Sequence, residues 1–247
     1  MIVIGVIPAR YASTRFPGKP LVDINGKTMI QRVYEQAQKV LSYVCVATDD
    51  SRIMSAVKAF GGVAIMTSSN QESGTDRCAE AIAKFEEQKN IIADVVINIQ
   101  GDEPFIDPIQ IQQLVDIFND ENSEIATLIK KVNSIEVIDD VNKVKVVVDK
   151  NLNALYFSRS AIPFVRNTNK EEWLKITTFY HHVGMYGYKK DALIDICKLP
   201  KGILEQSESL EQLRWLENGY TIKTAITDIE SFGIDTPDDL KKVFEKF

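Results

Sequence analysis

IVIGVI, residues 2–7, and the loop that follows it, residues 8–20 (PARYASTRFPGKP), decide the fold of this chain. The first six residues form a short apolar run, which predicts a buried strand. An amphipathic stretch at 28–41, a second apolar run at 43–47 and a second amphipathic stretch at 50–60 follow. Apolar runs that alternate with amphipathic segments are typical of parallel strands joined by crossover helices. The sequence therefore predicts an α/β fold.

Further segments extend this expected core. The glycine pair at 61–62 ends the second helix, and a third helix is expected from Thr75 to about Glu87. The apolar run 95–99 (VVINI) predicts a central strand that is buried on both faces. Thr236, followed by a proline and two acids, predicts the start of the last helix.

The second half of the chain has a different pattern. Residues 144–158 contain two short apolar runs around the polar turn 150–153 (KNLN), which favours an antiparallel hairpin. We therefore expect a smaller antiparallel subdomain roughly within residues 133–200. Residues 201–219 predict a single helix that ends at an Asn-Gly pair.

Composition and charge restrict the class of protein. With 247 residues, 45% of them hydrophobic, the chain suffices for one main domain, 1–247. A net charge of −6 argues against a general affinity for nucleic acid or anionic membranes. The three cysteines are far apart, which predicts buried reduced thiols. Because the first apolar run is short and no basic segment precedes it, we expect a cytoplasmic location.

The loop after the first strand concentrates positive charge. It holds Arg10, Arg15 and Lys19 and no acid, at the strand end where open α/β sheets bind ligands. Arginine gives forked hydrogen bonds to phosphate oxygens, and lysine offers a mobile point charge. Small residues such as Ser13 let backbone N–H groups approach the same oxygens. A polyphosphate site and a solvated surface loop fit this composition equally, since neither a P-loop nor a GxGxxG sequence is present.

The segment IPARYASTRFPGKPL (7–21) resembles the N-terminal signature of the 3-deoxy-D-manno-octulosonate (KDO) cytidylyltransferases, or CMP-KDO synthetases. Six further segments resemble blocks of this family in the family's order. They are SGTDR (73–77), NIQGDEP (98–104), YFSR (156–159), HVGMYGY (182–188), LEQLR (210–214) and GIDTPDDL (233–240). The resemblance, which covers nearly the whole chain, implies one nucleotide-diphospho-sugar transferase-like domain. Its fold would be a Rossmann-like nucleotidyltransferase core, with a mostly parallel, mixed sheet flanked by helices, plus a smaller antiparallel subdomain.

The resemblance also implies a reaction. CMP would be transferred from CTP to the anomeric hydroxyl of KDO for lipopolysaccharide synthesis, with Mg²⁺ as cofactor and a homodimer as the assembly. Arg10, Arg15, Lys19 and Asp102 would be catalytic. An 8-amino-KDO or a sialic-type acid is the alternative substrate. Two other classes of protein fit less well. A glycosyltransferase usually carries an Asp-x-Asp motif, which residues 100–102 (QGD) do not match. A catalytically dead nucleotide-binding regulator would be expected to have lost Lys19, Asp102 or Asp235, and all three are present.

Two acids are candidates for the metal site. Asp102 follows the expected central strand, where a strand-ending turn acid is also ordinary. Asp235 precedes the cap of the last helix, where an acid interacts favourably with the helix dipole. The resemblance implies that the two share one Mg²⁺, an ion that takes one or two carboxylates and completes its shell with phosphate and water.

The remaining candidates concern the nucleotide and the sugar. Gly74 and Thr75 begin a helix, whose free N–H groups can bind nucleotide oxygens or be capped by a side chain. The resemblance implies nucleotide contacts for Arg10, Ser13, Arg15, Lys19, Gly74, Thr75 and Arg77. It implies sugar contacts for Gln100, Arg159, His182, Tyr186, Glu211 and Gln212.

Several of the sugar candidates have structural alternatives. His182 is preferred over His181 because it matches the family position and Tyr186 lies on the same strand face. The acid and amide at 211–212 also fit the polar face of a helix. Arg159 equally fits a bridge between strands on the surface.

Overall fold

The computed structural model describes residues 1–12, 16–230 and 232–246, with side chains up to Lys241. Its contacts divide the chain into two compact units. The first unit is Met1–Gln112 with Glu230–Phe247, and the second is Gln113–Ile229. The predicted subdomain, roughly 133–200, lies within the second unit, and its narrower bounds stay a prediction.

The first unit alternates strands and helices, as the sequence predicts. Its elements are β1 (Val3–Ala9), β2 (Asp23–Ile24), β3 (Lys27–Thr28), α1 (Met29–Gln38), β4 (Tyr43–Thr48), α2 (Ser51–Ala59), β5 (Ala64–Met66), α3 (Gly74–Lys89), β6 (Val95–Asn98), α4 (Pro108–Asp116) and α10 (Pro237–Lys246). The boundary between the two units falls within α4.

Four of the described strands in the first unit pair in parallel, in the order β6–β1–β4–β5. Strand β1 lies between β4 and β6, with Ala9 opposite Thr48 and Val6 opposite Asn98. Because these strands run parallel, their carboxyl ends meet at one edge of the sheet. The loops that leave β1 and β6 therefore start close together.

Helix α1 shows how the sequence produces this layer. Thr28 precedes it in an extended conformation, and its side chain accepts a hydrogen bond from the N–H of Gln31 at 3.3 Å. The apolar stripe faces inward, as predicted: Met29, Ile30, Val33, Tyr34 and Ala37 are buried. Full burial of each larger apolar side chain contributes about 1.5–3 kcal/mol, which fixes this face of the helix against the sheet.

The second unit contains a mixed sheet. Its elements are β7 (Ile125–Lys131), α5 (Ile135–Asp139), β8 (Lys145–Val148), β9 (Ala154–Ser158), α6 (Trp173–Ile176), β10 (Tyr180–Lys189), α7 (Lys190–Ile196), α8 (Ile203–Glu208), α9 (Gln212–Glu217) and β11 (Ile222–Ile226). Strand β7 pairs antiparallel with β10 and parallel with β11. Strands β8 and β9 form the predicted antiparallel hairpin. The predicted α/β class, mostly parallel but mixed, with helices and a smaller antiparallel part, is confirmed.

Residues 201–219 do not form the single helix that the sequence predicts. Helices α8 and α9 replace it, and Ser209 between them has a φ of 52°, in the left-handed region. The hydroxyl of Ser207 donates to the carbonyl of Ile203 at 2.8 Å, a local bond that weakens helix continuation. The break buries Leu210, which is 7% exposed.

A smaller prediction concerns the three cysteines. Cys45 and Cys78 are buried free thiols, as predicted, whereas the free thiol of Cys197 is only partly buried. None of the described helices is long and apolar enough to cross a membrane.

Candidate active site

A cluster of opposite charges joins three segments of the first unit. Lys19 begins a short 3-10 turn (Lys19–Leu21), and its side chain is 13% exposed. Its Nζ donates to Oδ2 of Asp102 at 2.8 Å and to Oδ1 of Asp235 at 3.1 Å. The two acids meet because the N–H of Ile234 donates to the carbonyl of Asp102 at 2.9 Å. Carboxylates from distant parts of the chain therefore share one cation.

An open cavity of about 390 Å³ lies where β1 and β6 end. Predicted site residues line it: Arg10, Lys19, Gly74, Gln100 and Asp102. Gly101 also lines it, and a Cβ there would lie 2.7 Å from the carbonyl oxygen of Pro8. Only glycine permits so close a backbone approach. The cavity thus combines cationic groups, a carboxylate and accessible backbone at the predicted edge of the sheet.

The cationic loop is tied down at both ends. The N–H of Gly18 donates to the carbonyl of Tyr11 at 2.9 Å, and the φ of Gly18 is 73°. The guanidinium carbon of Arg52 lies 3.2 Å from the centre of the Tyr11 ring, a cation–π contact. Asp50 holds that guanidinium through two hydrogen bonds of 2.6 and 3.0 Å. The sequence does not predict this anchor, because the pattern of residues 50–52 gives no indication of a contact with Tyr11.

Two predicted residues of the loop, Ser13 and Arg15, lie outside the described residues. Arg10, which precedes them, donates to the carbonyl of Glu72 at 3.0 Å. This bond connects the loop to the segment that leads into α3. The predicted roles of Ser13 and Arg15 stay predictions.

The start of α3 is a capping box. The Ser73 hydroxyl accepts from the N–H of Asp76, and the Asp76 carboxylate accepts from the N–H of Ser73, both at 3.1 Å. Gly74 lines the cavity and Thr75 is buried. Ser73 therefore supplies the side-chain cap.

Arg77 is buried, whereas a side chain that contacts a nucleotide is expected to be exposed. It is 0% exposed and donates to Thr67 Oγ1 at 2.6 Å and to Asp49 Oδ2 at 2.9 Å. The ion pair ties α3 to the residue that follows β4. Its predicted nucleotide contact stays a prediction, and in the structure Arg77 binds Thr67 and Asp49.

The second unit brings His182 and Tyr186 together, as predicted. Their ring centres are 5.1 Å apart. The β7–β10 register shifts between Val183 and Tyr186, so that His182 lies opposite Ile129 and Tyr186 opposite Thr127. Residues two apart on β7 share a face, which places both rings on one face of the sheet.

Burial and hydrogen bonding set the state of these rings. Burial lowers the pKa of His182 to about 3, with a smaller contribution from His181, so the imidazole is neutral near pH 7. Its Nε2 lies 2.9 Å from Oγ1 of Thr127. Burial also raises the pKa of Tyr186, and the charge of Glu211 adds to this. The Tyr186 hydroxyl is buried and has no hydrogen-bond partner among the described residues.

The predicted residues Glu211 and Gln212 stand at the start of α9. Gln212 is 5% exposed. Arg214 holds this helix through two bonds to the Glu205 carboxylate, Nε to Oε2 at 2.7 Å and one terminal nitrogen to Oε1 at 2.6 Å. Trp215 packs edge-on against Tyr186, with ring centres 5.0 Å apart. Glu211 and Gln212 therefore lie at the start of a helix that Arg214 anchors to Glu205 and that packs against Tyr186 through Trp215.

Arg159 binds backbone rather than an acid. Its guanidinium donates to the carbonyls of Glu208 at 2.7 Å, Val141 at 3.0 Å and Ser209 at 3.3 Å. The Glu208 carboxylate in turn accepts from the hydroxyl of Ser158 at 2.6 Å and the N–H of Arg159 at 3.0 Å. The arginine thus connects the residue after β9 to the end of α8 and does not bridge two strands, and its predicted sugar contact stays a prediction.

Fold and site together define a nucleotide-binding α/β protein, with a cationic loop and paired acids at the carboxyl ends of parallel strands. A family model described as cytidylyltransferase matches residues 4–226. A Parabacteroides distasonis protein named 3-deoxy-manno-octulosonate cytidylyltransferase is 57% identical, over 98% of this chain and 96% of its own length. The chain therefore belongs to the 3-deoxy-manno-octulosonate cytidylyltransferase family.

Two further comparisons agree with this family. The solved structure of a CMP:2-keto-3-deoxy-manno-octonic acid synthetase complexed with CTP is 44% identical to this chain, with a TM-score of 0.89. The comparison covers 100% of this chain and 98% of that structure. A Shewanella woodyi protein named 8-amino-3,8-dideoxy-manno-octulosonate cytidylyltransferase is 48% identical, over 96% of this chain and 94% of its own length.

Proposed function

We propose that this cytidylyltransferase transfers CMP from CTP to the anomeric hydroxyl of KDO and releases pyrophosphate. The observation that carries the proposal is the convergence of Asp102 and Asp235 on the ammonium group of Lys19, which belongs to the cationic loop. That arrangement suits a triphosphate with a divalent ion. The similarity to relatives named for KDO supports the choice of sugar.

The reaction needs alignment and charge neutralisation more than a reactive side chain. The anomeric oxygen of the sugar acid forms a bond to the α-phosphorus of CTP and loses its proton to water. The bond from this phosphorus to the bridging oxygen breaks, and pyrophosphate leaves with that electron pair. Lys19 and Arg10 supply positive charge where the phosphate oxygens gain negative charge. No covalent intermediate is required.

We also propose Mg²⁺ as the cofactor. The fit rests on the donor set: Asp102 and Asp235 already share one cation, the Lys19 ammonium, at 2.8 and 3.1 Å. Oxygen ligands from one or two carboxylates, completed by phosphate and water, are what Mg²⁺ prefers. No group of three or more His, Cys, Asp or Glu side chains that could hold a metal occurs in the described part of the chain. When bound, Mg²⁺ would neutralise triphosphate charge and acidify a bound hydroxyl.

The test is pyrophosphate release from CTP and Mg²⁺ with KDO, 8-amino-KDO and sialic acid offered separately. We expect release with KDO and at least about tenfold less with either alternative. Removal of divalent ions with EDTA should abolish release, and added Mg²⁺ should restore it. Preference for 8-amino-KDO would move the specificity while keeping the mechanism, and no release with any sugar would contradict the proposal.

A homodimer and a cytoplasmic location complete the proposal. Large apolar side chains on the second unit are exposed: Val141 58%, Leu155 61%, Phe164 75% and Ile176 58%. The dimer proposal assumes that these side chains form one contiguous face, because a contiguous apolar patch is typical of an association surface. The cytoplasm would supply CTP, and lipopolysaccharide synthesis would use the product. A solution mass of about twice 27.8 kDa would support the dimer, and a monomeric mass would contradict it.

A further inference from the structure

One buried hydroxyl in the second unit has three polar contacts. Oγ1 of Thr127, on β7, lies 2.8 Å from the carbonyl oxygen of Met185 and 3.2 Å from that of Val183. It also lies 2.9 Å from Nε2 of His182. Thr127 is 0% exposed, so water does not replace any of these contacts.

These contacts determine the direction of the bond to His182. A hydroxyl has one proton to donate, and a carbonyl oxygen has none. If the proton pointed to Nε2, lone pairs of Oγ1 would face two carbonyl oxygens at 2.8 and 3.2 Å, which is costly in a buried position. The proton therefore goes to a carbonyl, Met185 being the nearer. Oγ1 then accepts from His182, so Nε2 carries hydrogen.

We infer that Thr127 is a positioning residue, which fixes His182 as the neutral Nε2–H tautomer so that Nδ1 accepts a hydrogen bond from a sugar hydroxyl. The identity of the donor as a sugar rests on the proposed function, whereas the tautomer does not. Nδ1 has no hydrogen-bond partner among the described residues. His182 keeps part of its surface exposed, so a ligand has access to it.

The surroundings of His182 support this tautomer. The rings of Phe157 and Tyr186 pack against the imidazole at centre distances of 5.3 and 5.1 Å, which restricts its rotation. Burial lowers the pKa of His182, so a second proton is disfavoured. The group that faces Nδ1 must then be a donor. A carboxylate or ether oxygen in that position would meet a lone pair and be rejected.

Three substitutions test the inference. Thr127→Val removes the hydroxyl and keeps the β-branched shape, and Thr127→Ser keeps a hydroxyl. Thr224→Val is the matched control, because Thr224 lies opposite Thr127 on β11. It is also buried, and its hydroxyl donates to the carbonyl of Leu152 at 2.8 Å. Thermal unfolding of each variant checks that it folds.

The first measurement is a long-range ¹H–¹⁵N spectrum of the ligand-free protein, whose 2 histidines are assigned with a His181→Gln variant. We expect hydrogen on Nε2 of His182 in the wild type, Thr127→Ser and Thr224→Val, and a mixture of tautomers in Thr127→Val. Hydrogen on Nδ1 in the wild type would overturn the inference. So would an unchanged Nε2–H tautomer in folded Thr127→Val.

The second measurement is steady-state kinetics. We expect Thr127→Val to raise the KM for KDO about tenfold, the size of one hydrogen bond, and to leave the KM for CTP within about twofold. Thr127→Ser should restore the KM for KDO to within about threefold. An unchanged KM for KDO in Thr127→Val would overturn the role in sugar binding. If no sugar acid is turned over but the Nε2–H tautomer is observed, the proposed function fails and the tautomer assignment stands.

Discussion

The charged cluster of the first unit and the ring cluster of the second unit are built on opposite principles. Lys19, Asp102 and Asp235 are ions that neutralise one another, with side chains 13%, 31% and 46% exposed. His182 and Tyr186 are neutral, and their surroundings fix them. Ions in contact with water exchange partners at small cost, because water screens the separated charges. Buried neutral hydrogen bonds do not rearrange so easily.

This difference indicates which kind of ligand each cluster would select. The charged cluster suits ligands that arrive with their own charge, such as a triphosphate with a divalent ion, because Lys19 can leave the two acids for phosphate. The ring cluster suits a ligand that presents hydroxyl groups in a fixed pattern, since its donors and acceptors are set in advance. Substitutions in the two clusters should therefore affect different kinetic constants.

The largest expected effect is that of Asp102→Asn. The substitution removes one of the two carboxylates that share a cation, so we expect kcat to fall about a thousandfold or more. The fold should persist, because the backbone bond from Ile234 to residue 102 remains. Pyrophosphate release measures the rate, and circular dichroism checks the fold. The control Asp195→Asn alters an exposed ion pair and should change kcat less than twofold; near-normal turnover by Asp102→Asn would remove this residue from the mechanism.

Next in size is the effect of Tyr186→Phe. The hydroxyl is buried without a partner among the described residues, so its loss should leave the free energy of unfolding unchanged or raise it by about 1 kcal/mol. The KM for the sugar acid should rise about tenfold, because the sugar can no longer form a hydrogen bond to the Tyr186 hydroxyl. Tyr156→Phe, on the partly exposed β9, serves as the control. Destabilisation by more than about 2 kcal/mol would show that the hydroxyl has a partner in the protein.

A smaller effect is expected for Arg52→Gln. The cation–π contact with Tyr11 contributes about 0.5–1 kcal/mol at an exposed position, so the KM for CTP should rise about two- to fivefold. The KM for the sugar acid should stay constant, which separates the loop from the ring cluster. Lys58→Gln, an exposed change on the same helix, controls for lost charge. Equal effects of the two substitutions would contradict the anchor.

The smallest expected effect concerns pH: the imidazole of His182 should not titrate in the range where histidines ordinarily do. Since the pKa of His182 is lowered to about 3, its imidazole C–H signals should not shift between pH 7.5 and about 5, by contrast with an ordinary histidine near pH 6.5. The unfolded chain takes up this proton as pH falls below about 6.5 and the folded chain does not. The contribution of His182 to stability is thus fully present above that pH and declines towards pH 3. A titration midpoint near 6.5 would contradict the buried neutral state.

The sequence predicted the local elements well, for identifiable reasons. Alternating apolar runs located the parallel strands, and Thr236 marked a helix start that the structure caps as expected. The hairpin around residues 150–153 followed from its turn residues. The break at Ser209 was missed, because serine is compatible with a helix and the neighbouring sequence does not mark the left-handed conformation that Ser209 adopts.

The sequence by itself determined the α/β class, the cationic loop and, through its resemblance to a family, the candidate residues of both clusters. Only the tertiary structure decided that Asp102 and Asp235 meet on Lys19, that Arg77 is a buried tie, and that Thr127 sets the protons of His182. The physical reason is the separation along the chain of the residues that make contact. Strands, turns and caps follow from neighbouring residues, whereas each of these contacts joins residues at least 28 positions apart and exists only once the chain has folded.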